Sequence, residues 1–271
     1  MAIRLNMQKT HIKSLVISGA SSGLGLALAR HYLERGAIVA ALARRGELLH
    51  SLSEEFPGKV YGYALDVRDA PAVQGAANDF IARVGCPDVV IANAGVSVGT
   101  LTEYAEDIDA FQQVLDINVL GMVKTFQPFI AAMRANSSHD KGRAGGVLVG
   151  IASVAGFRGL PGASAYSASK AAAISYLESL RVELRGSGVK VVTICPGYIR
   201  TPMTANNPYP MPFMLDADEA AKRMVRAIEK GAAFTVIPWQ MGMVGGVLKF
   251  LPRWLYDRLF ANAPRKRRKY I

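Results

Sequence analysis

Seven short runs of β-branched and aliphatic residues recur along the chain, at 15–18, 38–43, 60–65, 89–92, 147–151, 189–194 and 234–237. Nearly every position within them is apolar. A strand with one wet face alternates apolar and polar residues, so strands without alternation are buried on both faces and require a parallel sheet covered by helices. The stretches between the runs supply those helices, with apolar residues at helical spacing in Leu24–Leu28–Tyr32–Leu33 and Ala168–Ala172–Tyr176–Leu180–Leu184. Seven βα alternations with right-handed crossovers imply an α/β fold, a Rossmann-like doubly wound sheet of about seven parallel strands with helices on both faces. No repeat or low-complexity linker divides the 271 residues, so 1–271 reads as a single domain with a core at about 12–237 and an extension at 238–271. Residues 136–146, rich in Ser, Gly and charge, read as a surface loop, and Asp216 with Glu219 reads as a capping box opening a helix.

Composition removes several function classes. With 51% hydrophobic and 20% charged residues the chain is not a disordered one. Its net charge is +11, but five of the cations are adjacent at Arg265, Lys266, Arg267, Arg268 and Lys269, so the excess is partly a property of the tail. Without interleaved aromatic and basic residues or a known binding motif, that charge does not imply nucleic acid. Cys86 and Cys195 form no C-x-x-C pair and read as small packed residues in a reducing compartment. His11, His31, His50 and His139 lack metal-ligand spacing, and no metal is expected. The first thirteen residues carry Arg4, Lys9 and Lys13 without a sustained apolar stretch, so no secretory signal is read there. The uncharged stretch 231–248 is interrupted by Pro238, Gln240, Gly242, Gly245 and Gly246, which argues against a membrane span. A cytoplasmic location is the expectation.

Chemistry-bearing motifs sit at the ends of the strands. The first βα junction reads Ser18-Gly19-Ala20-Ser21-Ser22-Gly23-Leu24-Gly25, where glycines permit a tight turn and bring backbone N–H groups to a phosphate at a helix N-terminus. The second strand runs into Arg44-Arg45, at the place where an NAD site usually carries an acid for the ribose 2′-hydroxyl. Two guanidinium groups there suit a 2′-phosphate, which favours NADP(H) over NAD(H). Tyr166 and Lys170 lie four residues apart on an expected helix and so share a face. A nearby ammonium favours phenolate, and lowering a Tyr pKa by about 3 units takes roughly 4 kcal/mol. Ser153 ends the fifth strand, where its hydroxyl meets the same substrate oxygen as Tyr166.

These residues together resemble the short-chain dehydrogenase/reductase family over about residues 12–237, with Ser18 where Thr is usual and Ala92 where many members have Asn. The resemblance implies a cofactor site that includes Gly19, Ser21, Ser22, Gly23, Leu24 and Gly25, with Asp66 and Val67 beside the adenine. It adds Asn93-Ala94-Gly95 after the fourth strand and Pro196-Gly197, Ile199 and Thr201 beside the nicotinamide carboxamide. It implies that Asn118, Ser153, Tyr166 and Lys170 are catalytic: Tyr166 as general acid or base, Lys170 lowering its pKa and holding the ribose, Ser153 stabilising the substrate oxygen, and Asn118 distorting its helix and anchoring a water linked to Lys170.

The expected reaction is hydride transfer between NADP(H) and a carbonyl or secondary alcohol. The alternative is an NADP(H)-binding sensor or scaffold without turnover. Residues 203–215, with Met203, Tyr209, Met211, Phe213 and Met214, resemble the family's substrate lid and suit a hydrophobic compound. Helices near 107–133 and 166–185 imply a homo-oligomer, although Ala172, Tyr176, Leu180 and Leu184 are equally readable as sheet-facing. The C-terminal extension repeats Met243, Val247, Leu251, Leu255 and Leu259, widened by Phe250 and Trp254 and interrupted by Lys249, Arg253 and Arg258. Two readings stand: peripheral contact with a membrane surface, or two short helices split at Pro252 that pack on the protein, followed by a solvated tail.

Overall fold

The computed structural model describes residues 12–139, 145–205 and 207–268. Arg4, Lys9, the middle of the expected 136–146 loop and Lys269 of the basic block lie outside them. The strands are β1 (Ser14–Ser18), β2 (Ile38–Ala43), β3 (Val60–Ala64), β4 (Val89–Ala92), β5 (Gly146–Ile151), β6 (Val189–Pro196), the two-residue β7 (Ile199–Arg200) and β8 (Leu215–Asp216), and β9 (Phe234–Ile237). The helices are α1 (Gly23–Glu34), α2 (Gly46–Glu55), α3 (Ala70–Val84), α4 (Asp107–Leu115), α5 (Gly121–His139), α6 (Ser164–Glu183), α7 (Ala217–Lys230), α8 (Trp239–Phe250) and α9 (Arg253–Phe260). All seven apolar runs are strands, within two residues of the ends read from the sequence.

They form one parallel sheet in the order β3-β2-β1-β4-β5-β6-β9. The pleat sends alternate side chains to two separate cores. Leu15 and Ile17 of β1 join α1, α2 and α7 on one face, while Val16 joins α3, α5 and α6 on the other. The chain runs from β1 to β2 towards one edge of the sheet and from β4 to β5 towards the other, and loops diverging at that switch point open a crevice at the carboxyl ends of the strands.

Several expectations are corrected. Residues 136–139 are the last turn of α5 and not a loop. The sheet-facing stripe of α6 is Ala173, Leu177, Leu180 and Leu184, whereas Ala168 and Ala172 are exposed. Counting every fourth residue drifts by about 40° per step on a helix of 3.6 residues per turn, so the expected series starts on the wet face and ends on the dry one. Leu180 and Leu184 are therefore core residues, unavailable to a partner subunit. The Asp216 side chain makes no cap bond to α7; its Oδ1 accepts from Arg200 Nε at 2.8 Å, and Glu219 accepts from Arg223 on the same helix. Those arginines outcompete the backbone donors for both carboxylates.

Nor is the whole basic tail solvated. Past Pro252, Tyr256 donates to Gly159 O, and Arg158 reaches the carbonyls of Leu248, Lys249 and Leu251 at the end of α8. The chain then crosses the loop after β4 as a strap. Gly99 N donates to Arg267 O at 3.0 Å, and Lys266 Nζ donates to Ser97 Oγ at 2.8 Å. Arg268 is buried against Asp107, whose residue surface is 3% exposed, with bonds of 2.8 and 3.1 Å, and it covers the Tyr104 ring at 3.5 Å. Gly99 is required by close approach, because a Cβ there would fall 2.3 Å from Lys266 O.

The Arg268 guanidinium holds the Asp107 carboxyl below the usual carboxylate range. A carboxyl depressed in the folded state stabilises above its unfolded pKa, and that share is lost as pH falls through the folded value. Arg268→Ala is therefore expected to lower the thermal midpoint by several degrees at neutral pH, with the gap to the parent narrowing in acid. Tryptic cleavage at the exposed Arg265 and Arg267 is expected to speed up as the strap loosens. Thermal midpoints and digestion rates equal to the parent's at neutral pH would show that the ion pair does not hold the strap.

Candidate active site

The crevice begins at the turn between β1 and α1. Gly19 has φ +70°, and a Cβ on it would sit 2.8 Å from Ala94 Cα; one on Gly25 would sit 2.2 Å from Gly19 O. The turn is thus closed onto the loop after β4, with Asn93 Nδ2 donating to the carbonyls of Ser18 and Gly19 at 3.1 and 3.2 Å. Ser22 occupies the N-cap of α1 but makes no side-chain cap bond, and no acid lies in the first turn. The positive end of the helix is left open beside Ser21, Ser22, Gly23 and Leu24, as an anionic ligand needs. Both serine hydroxyls accept from Arg45 Nη2, at 3.1 and 2.7 Å, which draws that guanidinium to the same place.

A cavity of about 300 Å³ extends from this turn along the strand ends. Every cofactor-binding residue expected from the sequence lines it: the turn itself, Arg44 and Arg45, Asp66 and Val67, Asn93 to Gly95, and Pro196, Gly197, Ile199 and Thr201. Asp66 is already engaged. Arg68 holds its carboxylate by side-chain bonds of 2.8 to 3.1 Å and a backbone bond, which lowers its pKa, with a smaller contribution from Arg44. Thr201 faces Gly23 across the cleft, where a glycine Cβ would meet Thr201 Cβ at 3.2 Å.

Ser153, Tyr166 and Lys170 line the other end. Ser153 follows β5 and caps the short 3₁₀ turn Val154–Gly156, accepting from Ala155 N at 3.1 Å. Lys170 is 4% exposed, donates to Ile151 O at 2.8 Å, and stands 5.8 Å from the centroid of the Tyr166 ring. Burial pulls the Lys170 ammonium down to about 8. Burial raises the Tyr166 pKa from its ordinary value, and a hydrogen bond with Ser153 opposes the rise.

Asn118 is not on the cavity wall. It sits behind it, in a π-helical segment, Asp116–Leu120, that joins α4 to α5. Its Oδ1 accepts from Val96 N at 2.8 Å, and its Nδ2 donates to Val96 O and Ser169 Oγ at 3.0 and 2.9 Å. Ser169 in turn donates to Tyr166 O at 2.7 Å, so Asn118 ties the loop after β4 to the helix bearing Tyr166 and Lys170. The sequence reading gave Ser169 no role, although a serine on the buried face of an apolar helix was a visible signal. It also passed over Val96, Ile117 and Thr204, which line the cavity next to recognised motif residues.

The segment read as a substrate lid follows β7 and leads into β8, which pairs with it, and Met203 and Phe213 within it are exposed. Among the described residues no helix is long and apolar enough to cross a membrane.

Comparison with known proteins agrees with this arrangement. The short chain dehydrogenase family model matches residues 13–210. An uncharacterized oxidoreductase of Myxococcus xanthus is 38% identical over 254 residues, covering 93% of this chain and 97% of the relative. A 2-dehydro-3-deoxy-L-rhamnonate dehydrogenase (NAD(+)) of a Sphingomonas species is 36% identical over 188 residues, 69% of this chain and 72% of that protein. Among solved structures, a short chain dehydrogenase from Burkholderia cenocepacia in complex with NADP superposes with a TM-score of 0.77 at 28% identity, covering 93% of this chain and 98% of that one. With the motifs assembled around one cleft and the match extending over most of the sequence, the chain belongs to the short-chain dehydrogenase family.

Proposed function

We propose that the protein is an oxidoreductase that moves a hydride between NADP(H) and a carbonyl or secondary alcohol, with Tyr166 as the proton donor or acceptor. The observation that carries this reading is the convergence of Ser153, Tyr166 and Lys170 at one end of a cleft whose other end is an open helix N-terminus with two arginines. The glycine contacts fit a dinucleotide, since Gly19 and Gly25 let the turn close onto Asn93 and Ala94 and hold the N-terminus of α1 open towards phosphates. A bound nicotinamide supplies the hydride.

The chain's own residues do the rest. Ser153 Oγ holds the substrate oxygen beside the Tyr166 hydroxyl and stabilises the negative charge that develops on it. Tyr166, kept protonated by burial, gives its proton to that oxygen in reduction. Lys170 holds the ribose and adds positive charge behind the phenol. Asn118 positions Tyr166 and Lys170 through Ser169 and Val96. Oxidation uses the same groups in reverse and needs the phenolate, so with a raised Tyr166 pKa its rate climbs with pH through the neutral range while reduction does not. Titration with NADPH and NADP⁺, followed by a panel of carbonyl compounds assayed by NADPH oxidation, tests the assignment. Binding without turnover on any carbonyl class would favour the sensor reading.

Preference for NADP(H) rests on Arg44 and Arg45, with no acid at the end of β2. Replacing both with Ala is expected to weaken NADPH binding about 10- to 100-fold, the range of one or two lost charge-assisted bonds, and NADH binding by much less. An equal loss for both cofactors would remove the 2′-phosphate clamp from the proposal. A hydrophobic substrate is supported by Pro202 and Met203 on the cavity wall and Phe213 exposed on the lid. A homo-oligomer through α4, α5 and α6 is supported by the exposed Ile108 and Val182.

A further inference from the structure

Helix α8 meets the protein with Met241 and with glycines. A Cβ on Gly245 would lie 2.4 Å from Phe157 Cδ2, and one on Gly242 would lie 3.4 Å from Val236 Cβ. Four of its large residues point the other way. Trp239, Met243, Val247 and Phe250 follow one another at steps of three or four along the helix, with 64%, 64%, 66% and 84% of their surfaces exposed. The adjoining α9 exposes Trp254 and Leu259. A helix that turns four large apolar side chains to solvent departs from the amphipathic arrangement of a water-facing helix, and exposed apolar surface of this kind marks a docking face.

The charges around the patch identify what docks. Helix α8 has no acidic residue, and Asp257 is the single acid across α8 and α9. Lys249, Arg253 and Arg258 are exposed beside the apolar residues. A second copy seated on this face would bring those three cations against their own equivalents. An anionic headgroup layer would neutralise them, and indole rings settle at such interfaces.

We propose that the α8–α9 face is a docking surface for an anionic lipid bilayer, with Trp239, Val247, Phe250 and Trp254 entering the interface and Lys249, Arg253 and Arg258 meeting the headgroups. Twelve residues of α8 span about 18 Å at 1.5 Å per residue, so the contact is peripheral. Arg268 takes no part, since Asp107 holds it inside the strap. The proposal is independent of the catalytic reading: a protein without turnover would dock equally well.

Both tryptophans of the chain are on α8 and α9, so selectively excited tryptophan emission reports on these helices. Full-length protein is mixed with phosphatidylcholine vesicles with and without phosphatidylserine, and binding is read by flotation and by the emission maximum. The expected result is a blue shift and co-flotation with phosphatidylserine vesicles at low salt, both reduced at high salt. Phe250→Ser with Val247→Ser is expected to abolish both signals while the thermal midpoint stays at or above the parent's. Each of Lys249→Gln, Arg253→Gln and Arg258→Gln is expected to weaken partitioning by about fivefold. Absence of a shift with anionic vesicles at low salt would overturn the proposal. So would light scattering showing that Phe250→Ser splits an oligomer while vesicles leave the parent's emission unchanged, which would assign the face to a second copy.

Discussion

Tyr166→Phe is expected to reduce turnover by about 10²- to 10⁴-fold, the usual contribution of a positioned general acid, while NADPH affinity stays within a few-fold. Only the hydroxyl is removed, and the ring keeps its place on α6 between Ser153 and Lys170. The loss should fall on kcat and on kcat/KM together, because the proton moves only in the transition state. The raised pKa fixes the sign of the pH dependence in the parent enzyme. Reduction needs the phenol and stays flat through neutral pH; oxidation needs the phenolate and climbs by about tenfold per unit until the Tyr166 pKa is reached. Steady-state kinetics in both directions check this, and near-parental turnover in the Phe variant would exclude Tyr166 as the donor.

The second large effect separates activity from stability. Lys170→Met is expected to lose most turnover yet to be no less stable than the parent at neutral pH. Burial lowers the ammonium from 10.5 to about 8, a shift equivalent to about 3 kcal/mol of unfavourable charge burial. Methionine removes that burden but leaves the Ile151 carbonyl without its donor, which costs about 1–3 kcal/mol. The two nearly cancel, with the balance towards stabilisation. The sign of the pH dependence is the sharper test. Below about pH 8 both states of the parent carry the charge, and the folded state bears the full burden. Between about 8 and 10.5 the folded lysine is neutral while the unfolded one is still charged, so the parent gains stability relative to the variant. Thermal denaturation from pH 7 to 10 reads this directly. A variant clearly destabilised at pH 7, with a gap that does not change with pH, would show that the buried ammonium carries no such burden.

The strap shows how a buried ion pair redirects a charged segment. Five adjacent cations at the end of a chain read as a solvated run, and the sequence around them holds no sign of a partner. The partner is Asp107, 161 residues away, on the first turn of α4. Nothing local to Arg268 announces it; the contact exists because α8 and α9 bring the chain end back across the loop after β4. The same holds for Asp216, where a local capping pattern was present and Arg200, paired through the small β7–β8 sheet, took the carboxylate instead.

What the sequence determined by itself was the alternation of elements, the strand ends to within two residues and the motif residues that line the cleft. Each of these follows from short-range chemistry: apolar runs that are buried on both faces, glycines that a tight turn requires, and a Tyr and Lys one helical turn apart. Only the tertiary structure decided which side of α6 is dry, how Asn118 reaches Tyr166 through Ser169, how deeply the phenol is buried, and which face of α8 is left to solvent. Those outcomes depend on desolvation and on partners brought together across the fold. Burial is a property of everything packed around a group, and a group's neighbours in the chain do not report it.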